Sequence, residues 1–259
     1  MTPLPNLRTW FQPDATLLKA HESRVLDNIN AVLDRWAEQP LARVAQLYQP
    51  VDRDFLLTFR ELDSYSRPPE TEYWDVWSAG MGEPPQWPPG RGRRIFAYLK
   101  PFKALPQLLA ALNGLPNPSM IFAPGVDPRL RNECRNPTLR FVDKPVEMAQ
   151  AARECNLAIL NGTHATTVAM LLAGKPALHI PIFLEQALNA QAAERLGAAV
   201  ATSPNESKQT IDALRLLLAR DQFAEAAQSF AARYAIFDPN IQIERLVNRA
   251  EELAVGPDP

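Results

Sequence analysis

The sequence predicts an α/β fold, a parallel sheet with helices on both faces, and three observations carry that reading. From residue 93 onward, short apolar runs alternate with stretches of helical periodicity, the pattern of successive βαβ units. The joints carry helix-stop and strand-start chemistry, as in Ala173-Gly174-Lys175-Pro176, where Gly174 suits a C-cap and Pro176 opens a strand. The hydrophobic fraction of 46% supplies enough apolar material for a real core.

Taken in order, residues 14–37 read as a helix capped by Asp14, with Leu17, Leu18, Val25, Ile29, Val32, Leu33 and Trp36 at helical spacing. A short helix at 41–48 is stopped by Pro50, and Phe55–Phe59 is an apolar run of strand type. Pro68, Pro69, Trp74, Trp77, Pro84, Pro85 and Trp87–Gly90 follow. Proline blocks both helix and ladder, so this stretch reads as a semi-rigid linker tacked to a surface by its tryptophans. An aromatic ligand platform is the alternative. Strands are then predicted at 94–98, 119–122, 138–142, 157–160, 177–180 and 198–201. Helices are predicted at 103–113, 146–154, 165–173, 184–196, 207–219, 221–235 and 240–254. Right-handed crossovers make such a sheet parallel, and its ligands bind outside the strand carboxyl ends. Residues 1–66 cannot close a core of their own and read as the tail of another domain. The division is therefore 1–66 tail, 67–92 linker and 93–259 sheet domain.

Composition removes several classes. The net charge of −2 gives no general affinity for nucleic acid. The cluster Arg91-Gly-Arg93-Arg94 reads as a solvated strand flank. Cys134 and Cys155 stand in no zinc-type spacing, so no metal site is expected, and two thiols fit a reducing compartment. No run approaches a membrane span and no secretory signal is visible, which gives a cytoplasmic expectation. Proline, at 25 residues, is about twice its usual frequency.

The chemistry is concentrated in one segment. An apolar strand runs into Asn161-Gly162-Thr163-His164-Ala165-Thr166-Thr167 and then into a helix. Small residues allow close backbone approach, and a helix start offers free amides and partial positive charge, which suits a diphosphate. Thr166 or Thr167 can cap the helix or bond a phosphate oxygen. An ordinary capped βα turn has the same local pattern. The next strand ends at Pro181 and its turn carries Glu185-Gln186, with Asn189 one turn on, polar groups able to meet sugar hydroxyls.

Gly162, Thr166, Ala173–Pro176, Pro181, Glu185-Gln186, Asn189-Ala190 and Leu196-Gly197-Ala198, in that order and spacing, resemble the donor-binding signature of nucleotide-sugar glycosyltransferases of the GT-B fold. The resemblance is to the group that includes the antibiotic and plant glucosyltransferases in particular. The resemblance spans about residues 93–255 and implies a Rossmann-like C-terminal donor domain. It implies that Asn161, Gly162, Thr163, His164, Ala165 and Thr166 hold the donor diphosphate. It also implies that Glu185 and Gln186 contact the sugar and that Val146 and Glu147 contact the nucleobase, partly through backbone. Lys100 is a candidate for added positive charge near the phosphates. Two departures stand out: Asn161 replaces the family's phosphate-binding histidine, and Ala169 replaces a glutamate that bonds the ribose. His164 stands inside the turn as a partial substitute. His179 reads as a core residue, and His21 carries no signal.

The resemblance implies a donor that is a UDP- or dTDP-linked sugar, used as substrate with no cofactor and no metal. It places the catalytic base in an N-terminal acceptor domain, of which Leu4–Arg8 and the segment near Phe59 resemble the end. No base can be named, and the chain alone is expected to transfer no sugar. Two alternatives remain: a non-catalytic relative that binds a sugar nucleotide or supports a partner transferase, and a nucleotide-sugar epimerase of the same fold.

Overall fold

The computed structural model describes residues 14–48, 51–65, 67–75, 77 and 80–255. Leu4–Arg8 and Pro50 lie outside the described residues. The chain divides into two compact units, one holding residues 14–55 together with the chain from Glu252, the other spanning Leu56–Glu251.

In the first unit, helix α1 (Ala15–Arg35) starts where Asp14 accepts from the amides of Thr16 and Leu17 at 2.7 and 3.2 Å. Those bonds hold the Asp14 carboxyl below the usual carboxylate range. Asn30 brackets the returning chain, accepting from Leu41 N at 2.8 Å and donating to Leu41 O at 3.0 Å. The helix expected at 41–48 is a 3-10 turn over Val44–Tyr48. Its start is held by the Gln46 side-chain oxygen, which accepts from the amides of Ala42 and Arg43 and so caps a short turn in place of a full helix.

The second unit is built on six parallel strands: β1 (Ile95–Tyr98), β2 (Ser119–Phe122), β3 (Leu139–Val142), β4 (Leu157–Leu160), β5 (Ala177–His179) and β6 (Ala199–Ala201). The order is β3-β2-β1-β4-β5-β6. Helices follow in chain order: α2 (Leu105–Asn113), α3 (Pro128–Glu133), α4 (Met148–Glu154), α5 (His164–Leu172), α6 (Leu184–Arg195), α7 (Ser207–Ala219), α8 (Gln222–Arg233) and α9 (Pro239–Val255). Side chains alternate between two core layers. Ile95, Ile159 and Leu178 pack with α2 and α7, through Leu108, Leu112, Leu214 and Leu217. Phe96, Met120, Ala158 and Leu160 face the other layer, with Val168 and Met170 of α5 and Phe230 of α8. β1 pairs with β2 on one side and with β4 on the other, so the winding direction reverses between them. That reversal opens a crevice at the strand carboxyl ends.

One expectation upstream of β1 is corrected. Phe55–Phe59 is not a strand: Leu56 O accepts from Trp74 N at 3.0 Å, and a 3-10 turn follows at Arg60–Leu62. The main anchor of the run is an aromatic side chain. Phe59 is fully buried, with ring centroids 4.8 Å from Tyr234, edge-on, and 5.4 Å from Phe237. Glu61 reinforces this by accepting from the Tyr234 hydroxyl at 2.7 Å. Residues 56–65 therefore add to the core beside α8, and the compact unit begins at Leu56. The Pro/Trp stretch is tied to the same unit. The Trp87 indole donates to Glu154 at 2.7 Å, and Glu83 forms a parallel bridge with Val146.

Candidate functional site

The turn between β4 and α5 is the centre of the crevice. Asn161, largely buried, laces three strand ends together: its side-chain oxygen accepts from Lys100 N at 2.7 Å, after β1, and its amide donates to Ile180 O at 2.9 Å, after β5. Gly162 takes φ +89°, where a Cβ would lie 3.0 Å from Gln186 O. That close approach seats the start of α6 against the turn. Asn189 of α6 completes the seat, donating to Gly162 O at 3.2 Å and to Glu185 Oε1 at 3.0 Å.

At the start of α5, Thr163 occupies the cap position without capping. Its hydroxyl pairs with that of Thr166 at 2.8 Å, and Thr166 Oγ1 also donates to Thr163 O at 3.1 Å. The first-turn amides are left without a capping side chain, with the positive end of the helix dipole among them. His164 opens the helix, and its Nε2 lies 2.8 Å from Thr58 Oγ1. Burial pushes its pKa below the ordinary histidine value, against the opposing charge of Glu185.

Beside this turn is a cavity of about 180 Å³. Tyr98 and Phe122 enter it from the ends of β1 and β2, Val146 and Met148 from the β3–α4 connection, Ala165 and Thr166 from α5, and Trp77 and Met81 from the upstream stretch. Among the described residues its lining holds no carboxylate and no histidine.

The expected site residues thus gather at one end of the sheet with different degrees of freedom. Ala165, Thr166 and Val146 share the cavity wall. Glu185 is exposed at the start of α6. Lys100 is exposed too, with Nζ 6.0 Å from the Phe183 ring centroid. Gln186 is 2% exposed and its side-chain oxygen takes Ile182 N at 2.9 Å, so it braces the turn from within. Glu147 caps α4, its carboxylate accepting from Gln150 N at 3.1 Å. Asn161 has both ends of its amide committed to backbone. Ala169 is buried among core residues. His179 is fully buried beneath Gly162, and neither ring nitrogen has a partner. Cys155 is buried, its thiol pushed up to about 12 by desolvation.

Sequence reasoning missed Thr58, Trp77 as a wall, Met81, Tyr98, Phe122 and Met148. Tyr98 and Phe122 carried a readable signal as large aromatics ending strands at the functional edge of the sheet. Thr58 carried none.

Among the described residues, no helix is long and apolar enough to cross a membrane. No protein-family model matches the chain, and no curated protein matches it. Solved structures do match in fold. The spinosyn rhamnosyltransferase SpnG superposes with a TM-score of 0.56 at 22% identity, covering 73% of this chain and 54% of its own. The glycosyltransferase VinC, solved in complex with dTDP, gives 0.58 at 20% identity over 71% of this chain and 49% of its own. The glycotransferase of kitacinnamycin gives 0.62 at 14% identity over 88% and 62%. The chain spans about half the length of the first two of these proteins. The likeness is one of fold: the six-stranded parallel sheet and its helices are the Rossmann-like arrangement of GT-B glycosyltransferases.

Proposed function

We propose that Leu56–Glu251 is the donor-binding half of a GT-B glycosyltransferase and binds a nucleotide-diphosphate sugar at the carboxyl ends of β1, β4 and β5. The observation that carries this reading is the convergence of an uncapped α5 start, an exposed Glu185 and a cavity reaching Val146 at one edge of one sheet. In this reading the amides of His164, Ala165 and Thr166 take the diphosphate, and the helix dipole stabilises charge as the nucleoside diphosphate leaves. Lys100 and, when protonated, His164 add positive charge. Glu185 meets the sugar, and Gln186 holds the turn that positions it. The nucleoside lies in the cavity.

Among its described residues the cavity lining offers no carboxylate or histidine to deprotonate an acceptor hydroxyl, so the base and the acceptor site are assigned to a partner domain outside Leu56–Glu251. The donor is UDP- or dTDP-linked in this proposal, and the chain alone is not competent for transfer. A second reading, a non-catalytic sugar-nucleotide binder, is favoured by the commitment of Asn161 to backbone and the apolar Ala169.

Titration calorimetry with UDP, dTDP and their glucose conjugates tests the assignment. Binding is expected, with Thr166→Ala weakening every ligand and Glu185→Ala weakening only the glucose conjugates. Wild-type protein that binds none of the four overturns the proposal. Sugar transfer once the missing half is supplied separates the catalytic reading from the second one.

A further inference from the structure

The Pro/Trp-rich stretch before β1 reads as a linker, yet it forms one wall of the cavity and is fastened to both sides of it. On one side the Trp77 indole, 9% exposed, donates to Ala165 O in the first turn of α5 at 2.8 Å. On the other, Glu83 N donates to Pro145 O and Glu147 N donates to Glu83 O, both at 2.8 Å. Gly82 lies so close to the same loop that a Cβ would stand 2.3 Å from the Val146 carbonyl carbon. Between these fastenings Met81 stands 98% exposed at the cavity mouth.

The fastening consumes main-chain groups. Pro145 O and Glu147 N, the main-chain groups on either side of Val146 in the β3–α4 loop, are both already held by Glu83. Apart from Thr166, what faces the cavity is mostly ring and apolar chain: Trp77, Tyr98, Phe122, Val146, Met148 and Met81. We infer that Trp77 and Met81 are specificity-determining residues of this site and that the upstream stretch makes it select a nucleobase by shape and apolar contact, with little reading of its edge. The inference rests on the donor site proposed above. A flat base slides against aromatic and thioether surface, where the gain comes from burial and dispersion, and Met81 folds over it from the mouth. A site built on hydrogen bonds to an edge rejects the wrong edge by orders of magnitude, whereas an apolar slot does not.

The test is calorimetry on the full chain with UDP, CDP and inorganic pyrophosphate. Uracil and cytosine share a shape and differ in their edges. The expected result is UDP and CDP affinities within about threefold of each other. Met81→Ala should weaken both by about fivefold while leaving pyrophosphate binding unchanged. Met81 is almost wholly exposed, so this variant keeps its fold. Gly82→Ala, which forces the stretch off the loop, should weaken both nucleotides further. Discrimination between UDP and CDP beyond about thirtyfold overturns the inference, as does equal weakening of pyrophosphate by Met81→Ala. Pyrophosphate binding with neither nucleotide binding more tightly also overturns it. Wild type that binds none of the three removes the donor site itself and this inference with it.

Discussion

Replacing His179 with leucine should stabilise the protein, and by an amount that grows in acid. The imidazole is fully buried and both ring nitrogens lack a partner. A buried polar group without a partner costs about 1–3 kcal/mol. Leucine removes that cost and loses about 1 kcal/mol to imperfect shape match. The net gain at pH 8 is therefore about 0–2 kcal/mol. Burial also lowers the His179 pKa from 6.5 to about 4. The unfolded chain takes up a proton near 6.5, while the folded core refuses it until about 4. Between those values the unfolded state holds the extra proton, so wild-type stability falls as pH falls. At 1.36 kcal/mol per unit, the loss across the window is about 3 kcal/mol. The variant lacks this slope. His164, whose pKa is also depressed, contributes the same sign in both proteins. Urea denaturation followed by circular dichroism at pH 8, 6.5, 5.5 and 4.5 measures the difference. It should widen from about 0–2 kcal/mol at pH 8 to about 3–5 kcal/mol at pH 4.5. Parallel curves, or a variant less stable than wild type at pH 8, would refute the reasoning.

Asn161→Ala should cost about 2–3 kcal/mol, read as a lower urea midpoint, because it strands Lys100 N and Ile180 O at the crevice. Phe59→Ala should cost about 3–5 kcal/mol by opening a hole among Phe230, Tyr234 and Phe237. An unchanged midpoint would return residues 56–65 to the status of a loose tail. Glu185→Gln should lower the His164 pKa further, since that carboxylate opposes the effect of burial. An NMR titration of the imidazole C–H protons reads the shift, and an upward move contradicts the geometry.

Local features were legible in the sequence, and features assembled from distant segments were not. β2 and β4 fall where short apolar runs, Ser119–Phe122 and Leu157–Leu160, announce strands buried on both faces. The turn at 161–166 was found because its meaning lies within a few consecutive residues. Helix α3 was missed because six residues with one leucine have no apolar period to read. Phe55–Phe59 has strand composition, but whether it joins a ladder depends on a partner that composition does not contain. Thr58 meets His164 across 106 residues and Trp77 meets Ala165 across 88. No local pattern marks either pairing. Asn161 was read as a ligand donor because it replaces one. Its use as a brace follows from β1 and β5 ending on either side of it.

Anyone who excises this sheet as a module has to choose where to cut. A cut at residue 93, where the regular strand–helix alternation begins, would discard Phe59 from beside α8 and Trp77 and Met81 from the cavity. The excised piece would carry an open greasy face and a cavity lacking one side. Cutting ahead of Leu56 keeps both intact, so the portable module is longer than its α/β repeat suggests.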